Sequence, residues 1–458
     1  MNANNQAKKT KRQETRISRR GFMGRTVAAA ATFTIVPRYV LGGNAFTAPS
    51  NKLNIACIGI GGRGGDNLEG VSRENIVALC DVDMRQVGKA FENYPNAKRY
   101  TDFRKMLDDM DNQTDAVVVS TPDHTHAVAC MEAIRRGKHL YCEKPLAHSI
   151  YEIRELMKAA RKHKVITQLG NQGHSFDHIR MFCEWIWDGA IGNVREVHAF
   201  CGSDYSKINQ LPRLEERHEI PSELDWDLWL GPAQYRRYNP MYLPGSWRGW
   251  MPFGCGTIGD WVCHVVDPVF WALDLGAPIT VQAQAKGYDP KKHADTFPAG
   301  TIVNYEFPAS GKRGPVKLVW FDGVEKPPRP EELEDGRKVP GTGAIVIGDK
   351  GKIMYGSHGA DGVRIIPKTM MRAYEQPAQT LPRVQGHHKD WLDAIKNNTQ
   401  AGSNFDYGGP LTELALLGII ATKMLGRKLQ WDGENMRFTN CDEANQFINP
   451  PYREGWTL

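Results

Sequence analysis

No two of the nine cysteines are spaced C-x-x-C, and their positions (57, 80, 130, 142, 183, 201, 255, 263 and 441) follow no regular interval. That argues against a disulfide framework or a thiolate metal centre, and no metal is expected. Four of them (Cys57, Cys80, Cys130 and Cys142) fall in predicted core strands or helices, where cysteine behaves as a small hydrophobe. Long apolar runs are missing too. The run near the amino end, Val27 to Val36, is far shorter than the ~20 residues needed to span a bilayer, and nothing in the composition suggests a membrane bundle. There are no internal repeats. At 458 residues, 41% hydrophobic and 24% charged, the composition is that of a globular chain long enough for two domains. The body also lacks positive charge. The formal net charge is +6, but residues 1–47 hold nine Lys or Arg and one acid, leaving 49 basic against 51 acidic residues elsewhere. That leaves no nucleic-acid footprint.

The excess charge belongs to the leader. Lys8, Lys9, Lys11, Arg12 and Arg16 precede Ser18-Arg19-Arg20-Gly21-Phe22-Met23, and the short apolar run ends at Pro37. The segment resembles a bacterial twin-arginine export signal, with a mature start near Ala48. That resemblance implies a partner in the twin-arginine machinery and a periplasmic or otherwise exported location. Such export carries folded proteins, so a cofactor would be held tightly and recycled in place.

From Lys52 strands and helices alternate as a doubly wound parallel sheet requires. Leu53 to Ile58 leads into Gly59-Ile60-Gly61-Gly62-Arg63-Gly64, and Ile76 to Cys80 ends at Asp81. Gly59, Gly61 and Gly64 allow a tight turn, close approach to a pyrophosphate and close helix packing. Asp81 lies 17 residues beyond Gly64, near the spacing at which an acid binds the adenosine ribose. Its charge favours NAD(H) over NADP(H); the other reading makes it a helix cap, a part for which Asp83 is better placed. Ala116 to Ser120 is a third strand, with Thr121 and Pro122 at its carboxyl end. His126 opens the next helix, either touching the cofactor or packing. The following strand ends in Glu143-Lys144-Pro145. Ligands bind at the carboxyl ends of parallel strands, so Glu143 and Lys144 face a dinucleotide.

The domain boundary is expected near residue 170, giving a leader (1–47), a Rossmann domain (48–170) and a second domain (171–458). After 170, strand-like runs (Ile279 to Ala285, Thr301 to Phe307, Lys317 to Trp320, Ala344 to Ile347) follow without intervening helices, which predicts an α+β domain with an open, mostly antiparallel sheet. Helices are predicted over His388 to Asn397 and Pro410 to Met424. A helix from about Gly259 puts Asp260 and His264 on one face, four residues apart, with Asp267 close to the same stripe. At that spacing a carboxylate can orient an imidazole as a general base; otherwise the pair is structural. Asn171, Gln172, His174, Arg248 and Trp250 are candidate substrate-site residues, Asn171 and His174 first, from their place just after a parallel strand.

In order, Gly59 to Gly64, Asp81, Thr121-Pro122 and Glu143-Lys144-Pro145 resemble the Gfo/Idh/MocA family of oxidoreductases over essentially the whole chain after the leader. The resemblance implies hydride transfer between NAD(H) and a secondary hydroxyl of a sugar, glycoside or cyclitol. It implies that Asp260 and His264 work beside Lys144, and that the second-domain sheet forms a homo-oligomer interface. Two alternatives share the fold: an NAD-dependent glycosidase acting by transient oxidation and elimination, and a sugar-binding module that keeps the cofactor without turnover.

Overall fold

The computed structural model describes residues 51–458; the leader, including Arg19 and Arg20, lies outside the described residues. The first sheet contains β1 (Asn54–Ile58), β2 (Asn75–Cys80), β3 (Lys98–Tyr100), β4 (Ala116–Val119), β5 (His139–Cys142) and β6 (Thr167–Leu169) in the order β3-β2-β1-β4-β5-β6. Every pairing in it is parallel. The order reverses between β1 and β4, and the crevice beyond their carboxyl ends is where such sheets take ligands. Helix α1 (Arg63–Gly70) follows β1, α2 (Asp123–Arg135) follows β4, and α3 (Ile150–His163) follows β5. Ser149 and Glu152 close a capping box at the start of α3.

The second sheet holds β7 (Val194–Cys201), β8 (Thr280–Gln284), β9 (Ile302–Phe307), β10 (Val316–Asp322), β11 (Thr342–Gly348), β12 (Lys352–Tyr355), β13 (Arg364–Ile366), β14 (Leu429–Asp432) and β15 (Arg437–Phe438). Their order is β13-β12-β11-β7-β10-β9-β8-β14-β15. It is antiparallel except between β7 and β10, which run parallel from Glu196 opposite Lys317 to Cys201 opposite Asp322. The expected strands are present. β7 was not anticipated, and it makes the sheet mixed.

Helix α4 (Gly256–Val265) carries Asp260 and His264, and α5 (Phe405–Lys423) packs against it. α5 also touches α3, β6 and β8 and so lies between the sheets. Leu411 to Thr422 is buried on every face, as expected for a helix apolar all round. The predicted start at Pro410 is five residues late. Asn404 caps the helix by accepting from the Asp406 amide at 3.0 Å, and Gly408 and Gly409 continue it. A Cβ at Gly408 would meet Leu169 at 2.8 Å, and one at Gly409 would meet Met157 at 2.5 Å. These glycines serve close helix packing rather than a turn.

All nine cysteines are buried. Leu417 is fully buried in α5. Leu417→Ala is expected to destabilise the fold by about 2–5 kcal/mol, read as a lower thermal midpoint by circular dichroism.

Candidate active site

The glycine loop is held by contacts that exclude a side chain. Gly59 has φ +75°, and a Cβ there would meet the Ser120 carbonyl group at 2.8 Å. A Cβ on Gly64 would lie 2.0 Å from the Gly59 carbonyl oxygen, so α1 starts against the end of β1 only because residue 64 is glycine. The amides of Gly62 and Arg63 have no acceptor among the described residues. They sit at a helix amino end, where an anion is favoured. Beside them is a cleft of about 210 Å³ whose lining includes Gly59, Gly61, Asp81, Thr121, Pro122 and Lys144.

The Asp81 carboxylate accepts from the Ile60 amide at 2.9 Å and the Asp83 amide at 3.0 Å. It therefore fixes the glycine loop, and the carboxylate keeps lone-pair capacity for a ribose hydroxyl. Burial pushes its pKa above the ordinary value, against those amides. Asp83 caps no long helix. It binds the Arg85 amide at 3.1 Å and the Arg85 guanidinium at 2.6 Å, in a turn after β2. Thr121 Oγ1 is buried with no protein partner. Unpaired amides, an anchored carboxylate and an orphaned hydroxyl along one cleft fit a dinucleotide, whose pyrophosphate the loop would hold, with Asp81 for the ribose and Thr121 for the nicotinamide end.

His126 lies behind this cleft. Its Nδ1 is 2.8 Å from the Pro145 carbonyl and its Nε2 2.8 Å from the Thr121 carbonyl. With both ring nitrogens engaged by backbone and the ring 1% exposed, it clamps two loops together and leaves no atom for the cofactor. Glu143 lines the cleft but accepts from Arg63 Nε at 3.1 Å and Asn67 Nδ2 at 3.0 Å, which ties β5 to α1.

A second recess of about 370 Å³ opens beside the first, sharing Arg63, Glu143, Lys144, Gly245 and Arg248 with it. Asp260 and His264 from α4 reach it, together with Tyr205 and His358. Asp260 does not bond His264. Its Oδ1 pairs with Lys144 Nζ and, at 3.3 Å, with Arg248 Nε; its Oδ2 accepts from Tyr205 OH at 2.7 Å. Burial alone would raise the pKa of Asp260, but Lys144 and Arg248 hold it well below the ordinary carboxylate range. The expected pairing fails because the lysine is the nearer, charged partner.

His264 is 4% exposed and its Nδ1 is buried without a protein partner. Burial, then the charge of Lys144 and the neighbouring His358, push its pKa well below the ordinary value. The ring is neutral and can accept a proton. His358, whose ring centroid is 4.2 Å from that of His264, is lowered by burial and then by Lys144. It reaches the recess because Gly359 packs against Gly173; a Cβ on either would lie within 2.4 Å of the other's backbone. In the wall of the first cleft Asp123 is 4% exposed and accepts from the Cys255 amide at 3.0 Å. Burial pushes it up to about 7, against Arg248.

Asn171, His174 and Asp267 line neither recess. Asp267, 1% exposed, accepts from Asn171 Nδ2 at 3.1 Å, His174 Nδ1 at 2.9 Å and Tyr407 OH at 2.5 Å. It begins the short helix Asp267–Ala272, and its carboxylate satisfies donors from three other segments in a sealed cluster. Trp250 is also core, fully buried with Nε1 bonded to the Met241 carbonyl. Gln172 and Arg248 do line the recess. Sequence reasoning missed Tyr205, His358 and Asp123. Asp123 follows Thr121-Pro122 directly and was legible there, whereas Tyr205 and His358 lie in loops whose course only the fold reveals.

Gly64→Ala is expected to weaken NADH binding by about tenfold or more, ~1.4 kcal/mol, in a fluorescence titration. Asp267→Ala leaves three buried donors unpaired. It should cost about 3 kcal/mol or more in stability, seen in thermal melts, while NADH affinity in the folded fraction stays unchanged.

The pattern has known counterparts. Residues 53–171 match the oxidoreductase family's NAD-binding Rossmann fold, and residues 197–311 and 333–458 match its carboxyl-terminal α/β domain. Inositol 2-dehydrogenase of Salmonella typhimurium is 30% identical over 202 residues, 42% of this chain and 58% of the relative. A glycosyl hydrolase family 109 protein of Akkermansia muciniphila is 30% identical over 340 residues, 61% of this chain and 67% of the relative. Matches to the curated relatives span from 32% to 77% of their own lengths. The WlbA dehydrogenase of Bordetella pertussis, solved with NADH and UDP-GlcNAcA, shares the fold with a TM-score of 0.56 at 16% identity, over 83% of this chain and 99% of that one. With a glycine loop and E-K-P lysine on a parallel sheet, and a mixed, mostly antiparallel second sheet behind them, the chain belongs to the Gfo/Idh/MocA family of NAD-binding oxidoreductases.

Proposed function

We propose that this protein is an NAD(H)-dependent dehydrogenase acting on a secondary hydroxyl of a sugar, glycoside or cyclitol. The observation that carries this reading is the convergence of Lys144 and the His264 imidazole on one recess that adjoins the dinucleotide cleft. Bound NAD⁺ supplies the hydride acceptor. The neutral His264 ring takes the hydroxyl proton. Lys144 donates a hydrogen bond to the same oxygen and stabilises its developing negative charge. Asp260 fixes the lysine and, through Arg248 and Tyr205, the rim on which neighbouring hydroxyls bind. Inositol 2-dehydrogenase among the relatives, and a nucleotide-sugar complex among proteins of this fold, support the substrate class.

The carboxylate of Asp81 disfavours a 2′-phosphate, which supports NAD(H) over NADP(H). The paired arginines of the leader support export and, with it, a cofactor retained through many turnovers. The open second-domain sheet is the face we assign to self-association.

A glycosidase that oxidises, eliminates and restores is the second reading. Tyr205 and His358 favour it, because elimination needs acid and base groups beyond those of a hydride transfer. The Akkermansia muciniphila relative points the same way.

Incubating the full-length protein with a panel of glycosides and cyclitols, following cofactor absorbance and released aglycone together, separates these readings. Stoichiometric NADH with a keto product supports the dehydrogenase; free aglycone without net NADH supports the glycosidase; neither product on any substrate overturns both. His264→Ala should lower turnover by roughly 10² to 10⁴. Because the His264 pKa lies below the ordinary ~6.5, the base stays neutral at pH 6.5. The acid limb of the turnover profile should therefore begin below that pH.

A further inference from the structure

A third cavity, of about 310 Å³, shares no lining residue with the two recesses of the active site. Its walls come from the end of α5, the Met251 to Cys255 loop and the carboxyl-terminal segment around Phe447, and they are mostly apolar. Every charged side chain in the lining but one is satisfied within the protein. Arg236 pairs with Asp295 at 2.6 Å. Glu152 accepts from Tyr452 OH at 2.5 Å and from the amides of Ser149 and His148 at 2.7 and 2.9 Å.

The exception is Lys423, the last residue of α5. Its Nζ lies 3.1 Å from Met251 Sδ and 4.9 Å above the Phe447 ring, with no oxygen acceptor for it among the described residues. A lysine that serves only its own helix end would bond the last carbonyls, and this one does not. A cation held against a thioether and an aromatic face, inside an apolar cavity, is an incomplete ion pair. Burial pushes the Lys423 pKa down to about 8, so the ammonium remains largely charged at neutral pH.

We propose that this cavity is a second ligand site, taking a small monocarboxylate with an apolar body whose carboxylate pairs with Lys423. A single unpaired cation calls for a monoanion, the apolar walls exclude an inorganic one, and the volume lies at the lower end of small-molecule sites. The site abuts the dinucleotide cleft through one shared wall, where the Cys255 amide is bonded to Asp123.

The test is isothermal titration of octanoate, with 1-octanol as the uncharged analogue, into the full-length protein saturated with NADH so that the dinucleotide cleft is filled. One octanoate per chain is expected. Lys423→Met should weaken octanoate by about tenfold or more, ~1.4 kcal/mol, with octanol changed less than about twofold; Lys423→Arg should retain binding. Ile420→Trp, which keeps the lysine and fills the cavity, should block both ligands. The absence of octanoate binding to the unmodified protein overturns the proposal, as does unchanged octanoate affinity in folded Lys423→Met or in Ile420→Trp.

Discussion

The carboxylate of Asp260 is the interaction on which the catalytic half of this molecule is organised. It is one anion with three protein partners, and they come from distant stretches of chain: Lys144 from the end of β5, Arg248 from the loop before α4, and Tyr205 from the segment after β7. A buried anion costs several kcal/mol unless compensated, and here compensation requires that the Rossmann sheet and α4 be correctly apposed. Lys144, which lines both recesses, is thus positioned by the same contact that joins the two halves. Its neighbour His264 is left without a carboxylate and stays neutral.

The first sheet was legible in the sequence because its determinants are local. The glycines sit where a Cβ would strike backbone, and the apolar runs of β1, β4 and β5 are buried on both faces. Asp81 and Lys144 were legible as cleft residues because the loop after a parallel strand leads to the crevice at its carboxyl end. The second half was legible mainly in its strands. Four runs were anticipated, but β7 lies beside β10 across more than a hundred residues of sequence, and no local signal marks such a pairing.

The misassignments have a common physical origin. Helical spacing places Asp260 and His264 on one face, yet spacing ignores competitors, and a lysine from another element took the carboxylate. Asn171 and His174 follow a parallel strand, as ligand-binding residues do. The chain turns inward there, and Asp267 with Tyr407 consumes their polar atoms. Polar residues gathered after a strand therefore signal a hydrogen-bonded cluster, and only the course of the chain decides whether it faces a ligand or the interior. The glycines of α5 mislead in the same way, since close packing and a turn both select glycine.

The contact between Gly173 and Gly359 has a consequence for how this protein can diversify. His358 stands where it does because two backbones touch without side chains between them, so the spacing of that wall from the β6 side is set by main chain. No point substitution at the contact can widen the recess; any side chain there would wedge the loops apart and displace the histidine. Changes in the shape of the recess must therefore come from lining residues outside both this contact and the Asp260 cluster, Gln172 and Gly245 among them. One wall of the recess is thus fixed by main chain and another by the charges gathered on Asp260.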